Sequence, residues 1–241
     1  MGLLPDNKRK EVNEVKQKKL WVYGGTMTGK TTFADKFPDP LMLNTDGNTK
    51  FVTAPSILIK DQVKMTGRIK NEKLAWEYFK EVIDELEEKN NTFKTIVVDL
   101  VEDLYEYCRL FIYDREKITH ESDNPFKAWD MVTAEFLNTM QRLLNLDYEN
   151  FILISHEDLS RDITKQSGSN ITQIKPNLRD KVAIKLVGMV DAVGRLVIEE
   201  DKRYLSFKTD NVTFGGKRIP INVDKIPLEY EEVEKLYNVS K

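Results

Sequence analysis

The 241-residue sequence is short of several things, and each shortage excludes a class. It has one cysteine, Cys108, so no intramolecular disulfide forms and a reducing compartment is the simple reading. No window approaches the roughly 18–20 continuous apolar residues of a membrane span, so no membrane partner is expected. The opening MGLLPDNKRK lacks an apolar core behind a basic head, which argues against a secretory signal, and Asp6 stands where a myristoylation motif wants Ser or Thr. A cytoplasmic location is expected. Neither charge dominates: 37 Lys and Arg face 40 Asp and Glu, a net −3. That excludes a globally basic nucleic-acid coat but not a local basic surface. Internal repeats and low-complexity tracts are absent. What is present is a globular composition. Hydrophobic residues make up 40%, which excludes disorder as the global description. The 32% charged residues exceed the roughly 25% typical of globular domains and belong on solvated helix faces. The length suits one large domain, or one with an appendage, and needs no disulfide or metal staple.

Three stretches organise the chain. Residues 1–18 are polar and carry Lys8, Arg9, Lys10, Lys16 and Lys18; they read as an arm, either a solvated leader or a partner-binding element. Residues 19–198 read as an α/β core. Strands are expected at Leu20–Tyr23, Leu41–Thr45, Thr95–Asp99 and Phe151–Ile154, with a short edge strand at 55–59. Helices are expected from Lys30 to about Lys36, over 73–89 on a Leu74, Tyr78, Val82, Leu86 stripe, over 101–116, from Pro125 to about Leu146, and near 180–188. Alternating strands and helices predict a mostly parallel sheet flanked by helices. Residues 49–72 otherwise resist assignment, and 158–177 read as a long polar loop, which in a compact domain is usually functional. Residues 199–241 read as a β/α extension packed on the core. Tyr204–Lys208 pairs antiparallel with Ala192–Ile198, Gly215-Gly216 makes a turn, and a short helix covers about 228–237.

One motif carries chemistry. Gly24, Gly25, Thr26, Met27, Thr28, Gly29, Lys30 and Thr31 fit G-x-x-x-x-G-K-[ST], with an apolar strand before and a helix after. The glycines let several N–H groups turn toward one anion, and the helix adds its positive end. Lys30 reaches the β and γ phosphates as a point charge, Thr31 places a hydroxyl on Mg²⁺, and Thr32 closes the nucleotide-binding run. ATP and Mg²⁺ are therefore the expected ligands. Asp99 ends a buried strand, the Walker B position, and is the second metal candidate; its bland alternative is a helix cap. Residue 100 is Leu, so a water-activating glutamate directly after that acid is ruled out. Asp46, ending the second strand at the same sheet edge, is the first candidate to orient the attacking water; otherwise it is a turn residue, and Glu102 is the reserve. His156 ends the fourth strand and is a candidate sensor of the γ phosphate. His120 belongs to no constellation.

The P-loop GGTMTGKT, then LMLNTD, TIVVDL, and FILISH with its polar loop stand in that order. Together they resemble the RecA-like ATPase core over about residues 19–198, and most of all the phage-encoded RecA-like ATPases of the Sak type, which are single-strand annealing or recombination proteins. The resemblance implies ATP hydrolysis coupled to single-stranded DNA in phage recombination or replication, inside the host cytoplasm. It places the family's catalytic glutamate on Asp46, a shorter acid, and its polar switch residue on His156. It implies DNA contact through about 157–177, where Arg161, Lys165 and Lys175 are candidates. It implies a homo-oligomer in which a basic residue acts on a neighbour's nucleotide; Arg179, Lys181 and Lys185 are candidates. A phage replication or single-strand-binding protein is a further candidate partner. From 161 to 186 six basic residues face two acids, a local +4, but no aromatic supplies a stacking platform. Two other functions fit the same P-loop: a nucleotide-gated switch or loader with little hydrolysis, and a small-molecule kinase. The strand ending in Asp46 and the scarcity of arginine in 157–177 weigh against the kinase.

Overall fold

The computed structural model describes residue 7 and residues 15–66, 69–119, 125–164, 170–210 and 212–238. The arm expected over 1–18 lies outside the described residues except for residues 7 and 15–18, and His120 and Lys165 also lie outside them. In chain order the elements are β1 (Lys18–Gly24), α1 (Lys30–Ala34), β2 (Pro40–Asn44), β3 (Ser56–Leu58), β4 (Gln62–Thr66), β5 (Ile69–Lys73), α2 (Ala75–Glu88), β6 (Thr95–Asp99) and α3 (Val101–Arg115). Next come α4 (Pro125–Leu144), β7 (Asn150–Thr164), β8 (Asn170–Pro176), α5 (Asp180–Val187), β9 (Ala192–Glu199), β10 (Lys202–Ser206), β11 (Gly216–Lys217), β12 (Lys225–Pro227) and α6 (Tyr230–Tyr237).

The main sheet runs β12-β10-β9-β1-β7-β6-β2-β3. From β9 to β3 every neighbour is parallel; β10, β11 and β12 add antiparallel pairs at the C-terminal side. The apolar runs are continuous because both faces of the sheet are covered. Trp21, Tyr23, Ile96, Val98, Phe151 and Leu153 point into the core shared with α2, α3, α4 and α5. Their alternates Leu20, Val22, Val97, Ile152 and Ile154 join Phe33, Phe37, Val233 and Leu236 on the α1 and α6 face. The α4 stripe of Ala128, Val132, Phe136, Met140 and Leu143 is wholly buried. In α2 the buried stripe is Phe79, Val82, Ile83 and Leu86, with Leu74 and Tyr78 only half-buried.

Register sets what meets at the sheet's carboxyl edge. Gly24 lies opposite His156, Asp99 opposite Ile154, and Asn44 opposite Asp99. His156 does not end its strand as expected but lies midway along β7, and the ends of β1, β2 and β6 meet it there with the P-loop, Asp46 and Asp99.

Three other expectations need correction. The stretch 158–177 is not a loop: β7 continues to Thr164 and returns as β8, an antiparallel hairpin with a register shift between Asp158 and Arg161. The pairing lies in the backbone ladder of the two strands, and no apolar run in the sequence marks it. The same holds for β4 and β5, a second hairpin inside the unassigned 49–72. Gly215-Gly216 is not simply a turn, because Gly216 opens β11 and pairs with Val193 of β9.

Candidate nucleotide site

The P-loop takes the shape its glycines allow. Gly29 sits at φ 99°, a left-handed conformation that disfavours any residue with a Cβ. A Cβ on Gly24 would stand 3.1 Å from Leu196 of β9, so the loop's first residue must be small for β1 and β9 to pair. Lys30 is 6% exposed, and its ammonium donates to the carbonyls of Gly24 (2.9 Å) and Gly25 (2.7 Å). Burial lowers its pKa, opposed by the charges of Asp99, Glu102 and Glu157.

Thr31 and Asp99 meet as expected. Thr31 Oγ1 donates to Asp99 Oδ2 at 2.7 Å. Asp99 is 4% exposed, and burial pushes its carboxyl up to about 6, with the Thr31 hydrogen bond and Lys30 pulling the other way. The Asp99–Leu100 peptide is cis. A hydroxyl and a carboxylate side by side are hard oxygen donors, the type Mg²⁺ accepts. Among the described residues no group of three or more His, Cys, Asp or Glu could hold a metal alone. A cation here would complete its shell with phosphate oxygens and water, as Mg²⁺ commonly does.

The two other candidates at this edge differ in their ties. Asp46 is exposed and bound into its own turn: Asn44 Nδ2 and Asn48 N donate to Oδ1, and Asn48 Nδ2 donates to Oδ2. Burial alone would raise its pKa, but those bonds and the charge of His156 hold it below the ordinary value. His156 is held by Glu102, whose Oε1 accepts the His156 backbone N–H at 2.8 Å and lies 3.0 Å from Nδ1. That contact raises the His156 pKa against the opposing effect of burial. Among the described residues, the buried Glu102 Oε2 and the Tyr105 hydroxyl one helical turn on have no hydrogen-bond partner. Both residues line a cavity of about 310 Å³ with Asp103, Asp158 and Arg179.

The basic candidates separate. Lys175 is 2% exposed and ion-paired with Asp180, so it is no surface phosphate contact. Arg161 lies on the outer part of β7, opposite Gln173. Arg179, just before α5, stacks its guanidinium 3.7 Å from the centre of the Trp129 ring of its own chain. Lys181 and Lys185 are exposed on α5.

Two contacts escape sequence reasoning. Arg203 Nε donates to Thr28 O at 2.9 Å across 175 residues of chain. Arg195 of β9 pairs with Glu157 at 2.9 Å, next to His156 and packed against Gly25. No local pattern marks either; only the neighbours of β1 in the sheet could have.

Among the described residues no helix is long and apolar enough to cross a membrane. Among curated proteins, none matches the chain. A crystal structure of the RadB recombinase is similar at a TM-score of 0.41 and 15% identity, over 80% of this chain and 81% of that one. The AAA_24 family, described as an AAA domain, matches residues 16–219. With its P-loop at the end of an inner strand of a mostly parallel, helix-flanked sheet, the fold is that of a P-loop NTPase, and the chain belongs to this AAA domain family.

Proposed function

We propose that the chain is a Mg²⁺-dependent ATPase that binds single-stranded DNA and works as a homo-oligomer. The observation that carries this reading is the position of His156. It lies opposite Gly24 in the β1–β7 register, and its carbonyl accepts the N–H of Asn177 at 2.8 Å. One residue thus adjoins both the phosphate loop and the returning end of the β7–β8 hairpin. A γ phosphate seated on the loop would be sensed by His156, and that signal would be relayed to the ribbon that would meet DNA.

The chain's own groups divide the work. Lys30 exchanges its glycine carbonyls for phosphate oxygens. Thr31 and Asp99 would hold Mg²⁺, which would neutralise charge on the phosphates. In hydrolysis a water oxygen attacks the γ phosphorus, the bond to the β–γ bridging oxygen breaks, and the water proton passes to a carboxylate. Asp46 is the acid that strand position nominates first, but its oxygens already accept hydrogen bonds from its own turn. Glu102 offers a buried Oε2 with no partner among the described residues, beside the His156 that its other oxygen holds. This reading gives Glu102 the leading role and leaves Asp46 the lesser one. On the DNA side Arg161 and Lys165 remain candidates and Lys175 does not. Lys181 and Lys185 are the better placed trans-acting candidates, since Arg179 is stacked on its own Trp129. A setting in phage recombination or replication, with a single-strand-binding or replication partner, is what the Sak-type resemblance implies.

The test is binding of a labelled single-stranded oligonucleotide with and without a non-hydrolysable ATP analogue. Affinity should rise with nucleotide, and log K should fall with log salt at a slope of about −0.7 per phosphate contacted. No effect of nucleotide on DNA affinity overturns the coupling. The tied-up Asp46 also favours a second reading, a nucleotide-gated switch with little hydrolysis; turnover that stays negligible with DNA present would select it.

A further inference from the structure

We infer that the base and ribose of the nucleotide are received by a cleft that the C-terminal strands build against the P-loop. This rests on the nucleotide reading above and adds the subsite that the P-loop residues leave open.

The cleft has a volume of about 720 Å³, within the roughly 300–1,000 Å³ of small-molecule sites. Thr32 and Lys36 border it on the α1 side, Arg203 and Tyr204 on β10, and Pro227 and Leu228 at the end of β12. Gly29 and Thr32 belong to both the phosphate loop and the cleft wall. A ligand with its phosphates on the loop and its nucleoside past Thr32 therefore fills one continuous depression.

The lining suits those two halves. Tyr204 and Pro227 offer aromatic and apolar surface for a heterocycle, backed by the buried Phe33 and Leu228, and the Lys225 ammonium lies 4.5 Å from the centre of the Tyr204 ring. Tyr204 lies directly opposite Pro227 in the antiparallel β10–β12 register, so ring and proline share a face of the sheet. Lys36, Lys202 and Arg203 line the cleft as cations, with the acid Glu229 among them. The walls are also tied to the loop and to each other. Arg203 Nε donates to Thr28 O at 2.9 Å, and Leu228 N donates to Arg203 O at 3.0 Å. Pro227 and Leu228 lie beyond residue 219, where the family match ends.

The experiment separates nucleoside from phosphate. Calorimetric titration of the full chain compares ATP with tripolyphosphate, which keeps the anionic chain and lacks the nucleoside. Tyr204→Ala should weaken ATP by roughly tenfold, the scale of losing one base–aromatic stack, and leave tripolyphosphate within about twofold. Lys30→Ala should weaken both ligands. A Tyr204→Ala protein that binds ATP unchanged, or loses both ligands equally, overturns the cleft while leaving the P-loop reading intact. If the unaltered chain binds neither ligand, both readings fall together. A second measurement needs no substitution: photolabelling with 8-azido-ATP should mark peptides containing residues 202–204 or 227–229, and labelling confined elsewhere overturns the assignment.

Discussion

The ends of β2 and β6 are neighbours in one sheet, with Asn44 paired to Asp99, yet they treat their acids in opposite ways. At the end of β6, Asp99 is buried and its carboxyl is pushed up to about 6, and Glu102 lies just beyond with one oxygen bound to His156 and the other unpartnered. At the end of β2, Asp46 is exposed, bonded to Asn44 and Asn48, and held below its ordinary pKa. The path of the chain beyond each strand makes the difference. After β6 it enters α3 at once and packs its first turn over the sheet edge. After β2 it makes an Asx-type turn into solvent. Shared position at a strand's carboxyl end nominates a residue for catalysis, but solvation and free acceptor capacity decide between nominees.

The largest effect expected from this contrast is kinetic. Glu102→Gln should lower ATP turnover by roughly 10²–10⁴, the usual worth of a positioned general base, with ATP affinity changed by less than about threefold. Asp46→Asn should cost less than about tenfold in the same assay. The reverse ranking breaks the contrast and returns the leading role to Asp46.

How much of this is legible in the sequence depends on how local each signal is. β1, β6 and β7 announce themselves because both of their faces are buried, so every residue of Ile96-Val97-Val98 is apolar. The P-loop is contiguous and reads directly, as does Asp99 at the end of its run. The β7–β8 and β4–β5 ribbons do not, because their pairing lies in the backbone ladder and no apolar run marks it. The Glu102–His156 contact joins residues 54 apart, and the Arg203–Thr28 contact joins residues 175 apart. Each needs the strand order before it can be seen. Lys175 shows the converse failure: it reads as a surface cation, whereas the fold buries it against Asp180.

The next effect sharpens the contrast through stability. A carboxyl whose folded pKa is about 6 and whose ordinary value is 3.8 binds its proton more tightly in the native state. Its contribution is therefore most favourable below about pH 4, declines as the pH rises through 6, and stays low above that. Ionised Asp99 costs the metal-free protein on the order of 2–3 kcal/mol at neutral pH. Asp99→Asn should raise the melting temperature at pH 7.5 without Mg²⁺, lose that gain near pH 4, and abolish Mg²⁺-dependent turnover. A variant less stable than the parent at pH 7.5 would show that burial of this acid carries no such cost. The corresponding substitution at Asp46, whose pKa is lowered, should have the opposite sign, reducing stability at neutral pH.

The smallest effect tests the link that sets the two acids apart. Glu102 raises the folded pKa of His156, so this pair contributes its full stability below about pH 6.5 and loses it as the pH climbs through the raised value. The His156 side chain is 33% exposed, so solvent screens the pair and the change in melting temperature should be slight. The melting-temperature difference between the parent and His156→Gln should be widest near pH 5.5 and narrow toward pH 8.5. Repeating the comparison in a Glu102→Gln background should flatten that slope, because the coupling needs both partners. A difference independent of pH in both backgrounds would mean that Glu102 holds His156 only through the backbone N–H. The carboxylate would then position β7 at its midpoint without tuning the imidazole, and the γ-phosphate signal would have to pass through the strand itself.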